Sequence, residues 1–197
     1  KHVPESPFVS RAGLKLEHAL QTSNFDVSEL LCADLGCNVG GFTDCLLQRG
    51  ASHVFSVDTG YGTLAWKLRS DERVTTLERT NALHVEPPKS VDLVVMDLGW
   101  TPQRLALPVC CSWLSSGHII TLIKPHYELS KEEKRVESVA SGLSDGAVAR
   151  VLERTRTLCE ELQLEILHET ISPIKGKKSS KKGAGNTEYL FLLKSTQ

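Results

Sequence analysis

The sequence predicts an α/β fold: a seven-stranded, mostly parallel sheet with an antiparallel last strand and helices on both faces. Three observations carry this expectation. Short apolar runs alternate with amphipathic stretches along most of the 197 residues. Four of those runs end at a charged residue, Asp34, Asp58, Asp97 or Lys124, so one sheet edge gathers the chemistry. The last two runs are separated by a lysine-, serine- and glycine-rich segment in which no crossover helix fits, so they pair as an antiparallel hairpin.

Bulk properties narrow the class. The length suits one domain, read as a lead-in and packed helix over residues 1–29 and a main body over 30–197. Forty per cent hydrophobic residues suffice for a core. The net charge of -1 hides a local concentration: Lys175, Lys177, Lys178, Lys181 and Lys182 share one acid-free segment, and elsewhere acids outnumber bases. The six cysteines form no C-x-x-C pair and have no histidine cluster beside them, so no metal site is expected. Three of them, Cys32, Cys45 and Cys159, lie among apolar neighbours and read as core residues. A disulfide framework is not expected in a mixed domain of this size, which points to a reducing cytoplasm. The polar, proline-rich opening does not resemble a signal peptide, and no apolar run is long enough to span a bilayer.

In chain order, Ser10 is placed to cap a first helix whose Leu16, Ala19 and Leu20 face the body, with Gly13 weakening its start. Lys15 lies on another face and, from this stretch alone, reads as a solvated lysine. Leu30 to Asp34 is the first strand and is apolar, as a strand buried on both faces should be. Phe42 to Arg49 is a helix closed by Gly50. Strands follow at Val54–Asp58, Val74–Leu77, Val91–Asp97 and His118–Ile123, with helices at Thr63–Arg69 and Leu105–Trp113. The clearest helix spans Ala147 to Leu162, with Val148, Val151, Leu152, Thr155, Leu158, Cys159 and Leu162 on its apolar stripe. Leu164–Ile174 and Glu188–Leu193 complete the sheet.

The turn Asp34-x-Gly36-x-Asn38-x-Gly40-Gly41-Phe42 lacks the G-x-G-x-x-G spacing of a dinucleotide site. Its glycines admit close backbone approach, and the following helix N-terminus attracts negative charge such as a carboxylate. Asp58, followed by Thr59, ends the next strand, where a carboxylate suits ribose hydroxyls. Together they describe a pocket for a nucleoside with a compact charged tail and no pyrophosphate; S-adenosylmethionine fits it better than NAD. Asn81 and Ala82 follow the third strand and either meet an adenine edge or form an ordinary turn. Asp97 and Lys124 end neighbouring strands. Such a couple is commonly a structural ion pair, whereas a functional reading gives Lys124 the proton of an attacking hydroxyl.

At this point the chain resembles a known family. Ser10-Arg-Ala-Gly-Leu-Lys-Leu16, the turn through Phe42, Val57-Asp58-x-Gly60-Tyr61-Gly62, Glu78-Arg-Thr-Asn81, Ile123-Lys124-Pro125 and Asn186-Thr-Glu-Tyr189 look like the TlyA-type rRNA methyltransferases of the FtsJ-like superfamily. The resemblance implies a Rossmann-like class I methyltransferase fold and S-adenosyl-L-methionine as cofactor. It also implies ribose 2′-O-methylation of rRNA or ribosomal subunits, without DNA or membrane partners, by a Lys-Asp-Lys-Glu tetrad on Lys15, Asp97, Lys124 and Glu188. Under it Lys124 activates the 2′-hydroxyl, and Asp34, Gly36, Asn38, Gly40, Gly41, Phe42, Asp58, Thr59, Asn81, Ala82 and Asp97 hold the cofactor. The five lysines and Trp100 become RNA contacts, although Trp100 equally suits packing and the lysines a solvated loop. The sequence departs from the family at Leu98-Gly-Trp-Thr101 and after Pro125, which bears on substrate choice. Competing readings are a small-molecule methyltransferase and a non-catalytic RNA-binding or haemolysin-like protein; an NAD-dependent oxidoreductase is disfavoured by the glycine spacing.

Overall fold

The computed structural model describes residues 6–139, 142–176 and 185–196. Nine strands are assigned among them: β1 (Leu31–Leu35), β2 (His53–Val57), β3 (Val74–Leu77), β4 (Val91–Met96), β5 (Leu114–Ile123), the two-residue β6 (Ser138–Val139) and β7 (Gly142–Leu143), β8 (Leu164–Ile171) and β9 (Tyr189–Ser195). The helices are α1 (Gly13–Ser23), α2 (Gly41–Gln48), α3 (Trp66–Arg69), α4 (Gln103–Ser112), α5 (Pro125–Glu128), α6 (Lys131–Glu137) and α7 (Asp145–Glu161). The main sheet has seven strands in the order β3-β2-β1-β4-β5-β9-β8, and β6 and β7 form a separate hairpin. Pairing is parallel from β3 through β5, while β9 runs antiparallel between β5 and β8. The strand order reverses between β1 and β4, and an open α/β sheet offers its ligand crevice at that reversal.

Neighbouring residues on each strand point to opposite faces, and the core divides accordingly. Cys32, Leu93, Ile120 and Leu192 pack with Leu16, Ala19 and Leu20 of α1 and Phe42, Cys45 and Leu46 of α2. Ala33, Val94, Ile119 and Phe191 pack with Leu107 and Cys110 of α4, Trp113, and Val151 and Cys159 of α7. Burying Leu16 and Leu20 completely stabilises by about 3–6 kcal/mol. That outweighs the roughly 1 kcal/mol cost of opening α1 on glycine.

Several boundaries differ from those the sequence predicts. Ser10 does not cap α1: Ala12 is the N-cap and adopts helical dihedrals, while Ser10 Oγ accepts from the Ala12 N–H at 3.3 Å, forming a turn before the helix. Gly13 lies against the Phe8 ring, where a Cβ would overlap ring carbons. The helix expected from Thr63 starts only at Trp66, because the preceding loop is held open by Gly60 and Gly62 N–H bonds to Asp58 and Glu78. Strand β5 begins four residues early, at Leu114. It absorbs Gly117 in a register shift where a side chain would overlap the Asp92 carbonyl. Helices α5 and α6 lie in the segment after Lys124, for which the sequence suggests no element.

Candidate active site

The tetrad positions come from four separate segments: Lys15 from α1, Asp97 after β4, Lys124 after β5 and Glu188 before β9. Sheet register explains part of their meeting. Ile123 pairs with Tyr189 in the antiparallel β5–β9 ladder, so the next residue on one strand and the preceding one on the other, Lys124 and Glu188, leave the sheet at the same edge. Helix α1 then lays Lys15 between the two carboxylates. Its Nζ lies 2.6 Å from Glu188 Oε2 and 4.0 Å from Asp97 Oδ2. Lys124 Nζ donates to Asp97 Oδ1, and to the Leu98 carbonyl at 3.3 Å. The result is an alternating row, Lys124–Asp97–Lys15–Glu188. The Lys15 and Glu188 side chains are only 10% and 4% exposed, so Lys15 is not the solvated lysine its own stretch suggests. Gly176 packs on Glu188, and a Cβ there would overlap Oε1.

The row borders a cavity of about 820 Å³ at the carboxyl edge of the sheet, a size typical of small-ligand sites. The glycine-rich turn forms its floor. Gly36 has φ +90°, and a Cβ would stand 2.7 Å from the Asp97 carbonyl oxygen; only glycine satisfies both conditions. Asn38 N–H donates to Asp58 Oδ2 at 2.9 Å and Gly60 N–H to Asp58 Oδ1 at 2.7 Å. Those bonds fix the Asp58 carboxylate and leave a lone pair on each oxygen for a ligand.

Asp34 is fully buried. Its Oδ2 accepts from the Thr43 N–H at 2.9 Å and the Thr43 hydroxyl at 2.7 Å, and that hydroxyl meets Ser56 Oγ at 2.8 Å. Its Oδ1 has no protein partner although the residue lines the cavity. Burial pushes the carboxyl pKa up to about 7, against the opposing pull of the Thr43 hydrogen bonds, with the Asp97 and Asp58 charges adding to the rise.

Trp100, Tyr127 and His126 line the other side. Trp100 is 81% exposed, and its ring centroid lies 4.8 Å from that of Tyr127, itself 5.8 Å from Lys124 Nζ. Burial holds the His126 pKa down at about 4, assisted by the Lys124 and Lys134 charges, so the ring is neutral at pH 7. Glu128 joins the two loops by accepting the Gln103 N–H on both carboxylate oxygens, at 3.0 and 3.1 Å.

Of the expected ligand residues, Asp34, Gly36, Asn38, Gly41, Phe42, Asp58, Thr59, Asn81, Ala82 and Asp97 all line the cavity. Gly40 does not: it turns toward α3, where a Cβ would overlap Leu64 and Leu68, so its glycine serves packing. Asn81 Oδ1 accepts from the Leu83 N–H at 3.0 Å, closing a local turn and leaving its amide nitrogen available. Lys175 is exposed and outside the lining, with its carbonyl 3.5 Å from Arg11 Nη2. Lys177, Lys178, Lys181 and Lys182 fall outside the described residues. Thr43, Ser56, Gly176, His126 and Tyr127 join the site without a sequence expectation. The signal available for the last two is adjacency to Lys124; for Gly176 there is none.

The donor set fits S-adenosylmethionine. A carboxylate at the end of β2 suits ribose, the glycine floor admits a flat nucleoside, and the orphaned Asp34 oxygen suits the ammonium of an amino-acid tail.

Comparison with known proteins agrees. Residues 8–194 match the FtsJ-like methyltransferase family. The chain is 37% identical over 196 residues to 16S/23S rRNA (cytidine-2′-O)-methyltransferase TlyA of Mycobacterium tuberculosis, covering 96% of this chain and 69% of that protein. It is 37% identical over 192 residues to YqxC of Bacillus subtilis, a candidate rRNA methyltransferase, covering 94% of this chain and 65% of that protein. Thus it spans about two thirds of the length of these relatives. A hemolysin candidate of known structure from Streptococcus thermophilus superposes with a TM-score of 0.88 at 32% identity, covering 100% of this chain and 70% of that one. The chain belongs to the FtsJ-like methyltransferase family, whose methyl donor is S-adenosylmethionine.

Proposed function

We propose that this chain methylates ribose 2′-hydroxyls of rRNA, as free RNA or in ribosomal subunits, in the cytoplasm. The observation that carries the proposal is the alternating row Lys124–Asp97–Lys15–Glu188 bordering the cavity. The names of the TlyA and YqxC relatives supply the substrate class. The haemolysin name borne by other relatives finds no support in a spanning helix: among the described residues no helix is long and apolar enough to cross a membrane.

When bound, S-adenosylmethionine supplies an electrophilic sulfonium methyl group. The remaining work falls to the protein. Asp58 and the glycine floor would hold the nucleoside part, and Asp34, oriented by the two Thr43 hydrogen bonds, would hold the amino-acid part. Lys124 Nζ is held by the Asp97 carboxylate and the Leu98 carbonyl, which leaves its remaining direction for the substrate hydroxyl. As that oxygen gains its methyl group its proton passes to Lys124, which must be neutral at that instant. General-base help of this kind contributes about 10²–10⁴-fold, and holding the hydroxyl in line adds an orientation term.

The test is transfer of a labelled methyl group from S-adenosylmethionine to rRNA or ribosomal subunits by wild type and Lys124→Ala. A fall of about a hundredfold or more with unchanged cofactor affinity is expected, with the label on a ribose. Full activity in the variant removes the role of Lys124, and a label on a base nitrogen or carbon removes ribose as the target.

A further inference from the structure

Two of the most exposed aromatic side chains, Tyr61 (69%) and Trp66 (79%), sit between β2 and α3, at the end of the cavity remote from Glu188. Burying either would stabilise the fold by about 1.5–3 kcal/mol, and both forgo it. Their backbone is nevertheless fixed. Gly62 N–H donates to Glu78 Oε1 at 2.8 Å, Ala65 N–H to the Val39 carbonyl at 3.0 Å, and Arg79 N–H to the Gly60 carbonyl at 3.0 Å. Arg79 itself is held at φ 51°, a left-handed conformation that costs a residue with a side chain about 1–2 kcal/mol. In that conformation its guanidinium carbon lies 4.3 Å from the Tyr61 ring centroid.

The charges around these rings are also sorted. Glu78 is paired with Arg69, Asp71 with Arg73 and Asp44 with Lys67. Arg79 has no ion-pair partner among the described residues. The exposed Glu72 precedes β3, about 13 Å of strand away from the carboxyl edge. An anionic chain therefore meets exposed aromatic faces and a guanidinium without an ion-pair partner, while Glu78, Asp71 and Asp44 are each neutralised by a basic side chain. The patch is continuous with the cavity, because Thr59, Thr63, Thr80 and Asn81 line it from the same segments.

Resting on the RNA reading above, we propose that Tyr61, Trp66 and Arg79 form a stacking platform for single-stranded RNA flanking the target nucleotide. Bases stack on aromatic rings, and an arginine on a ring face both braces the ring and reaches a phosphate. The alternation of aromatic and cationic side chains favours a nucleic-acid strand over a protein partner, which would leave Arg79 in need of a carboxylate. Geometry gives the platform a purpose. From β2 to β5, the strand that Lys124 follows, the sheet steps across three strand spacings, about 14 Å. A strand resting on the platform is thereby within a few nucleotides of Asp97 and Lys124.

The test is anisotropy of a fluorescein-labelled single-stranded oligouridylate with the full chain, run beside methyl transfer to rRNA. The Tyr61→Ala/Trp66→Ala variant should bind the oligonucleotide about tenfold or more weakly, while Tyr61→Phe/Trp66→Phe keeps wild-type affinity. Arg79→Gln should reduce the slope of log affinity against log salt by about 0.7. Wild-type affinity in the alanine variant overturns the platform, and so does equal loss in the phenylalanine variant. Both results leave the methyltransferase reading standing when the wild type still methylates rRNA. Conversely, a wild type that binds oligouridylate through these residues yet transfers no methyl group to rRNA overturns the function and leaves the platform.

Discussion

Removing the charge of Lys15 should destabilise the fold more than any single surface change, and it should do so through Glu188. The two side chains are 10% and 4% exposed with 2.6 Å between Nζ and Oε2, and Gly176 packs on the same carboxylate without contributing charge. Stranding one member of a buried pair costs about 3–5 kcal/mol. Because the row is open to the cavity at Asp97, whose side chain is 20% exposed, the lower end applies, about 3 kcal/mol for Lys15→Met. For a chain of this length that corresponds to a fall in thermal midpoint of about 6–12 °C. Glu188→Gln keeps an oxygen for Lys15, which retains Asp97, and should cost only about 1–2 kcal/mol. The double variant carries no stranded charge, so its loss should fall short of the sum of the singles by about 2 kcal/mol. Urea or thermal unfolding of the four cofactor-free proteins at pH 7 closes the cycle. Additivity within about 0.5 kcal/mol would refute a coupled buried pair. Methyl transfer should be lost in all three variants although the double variant is no less stable than Lys15→Met, which separates folding from chemistry.

Three further outcomes follow from the same geometry. The Asp34 carboxyl titrates near 7 in the folded chain and near 4 when unfolded, so between those values the folded state holds the extra proton and its stability declines as pH rises. The midpoint of the cofactor-free wild type should therefore drop relative to Asp34→Asn between about pH 5 and pH 8. Glu128, also pushed up to about 7 by burial, titrates in both proteins and cancels, and a constant gap between the two curves would remove the assignment. Gly176→Ala should lower methyl transfer about tenfold with cofactor affinity intact, because a Cβ overlaps Glu188 Oε1 and must push the carboxylate off Lys15; full activity would show that the two groups do not touch. Replacing Lys175, Lys177, Lys178, Lys181 and Lys182 by alanine should flatten the salt dependence of RNA binding by about 0.7 in logarithmic slope for each phosphate no longer neutralised. An unchanged slope would take the segment out of the RNA interface.

The legible parts of the sequence were those governed by local rules. Apolar runs such as Val91–Met96 become strands because both faces are covered, and Gly36 marks a backbone that a side chain would block. The illegible parts depended on partners distant in sequence. Lys15 looks like any lysine on a helix until α1 docks against α2 and β9 and delivers it to a glutamate 173 positions further on. Gly40 and Gly41 are indistinguishable as letters, yet one packs on Leu64 and Leu68 while the other lines the cavity. The acids and bases of Lys131 to Arg135 obscured helix α6, whose stability rests on a cap, Ser130 with Glu133, and a cross-element pair, Arg154 with Glu133.

The division of labour across the sheet edge follows from strand order. Most of the residues proposed to hold the cofactor cluster on β1, β2 and their turns, close together in sequence, so short-range spacing reports them. The row proposed to handle the proton needs charges that alternate in space, and no single segment supplies four such side chains at hydrogen-bonding distances. It is assembled from α1, β4, β5 and the hairpin of β8 and β9, so its geometry exists only once the last strand has inserted beside β5. The antiparallel insertion of β9 has a direct chemical consequence: a parallel strand in that slot would begin, not end, its register at the opposite edge and carry Glu188 away from Lys15. The hairpin of β8 and β9, which completes the sheet, is therefore also the element that completes the row.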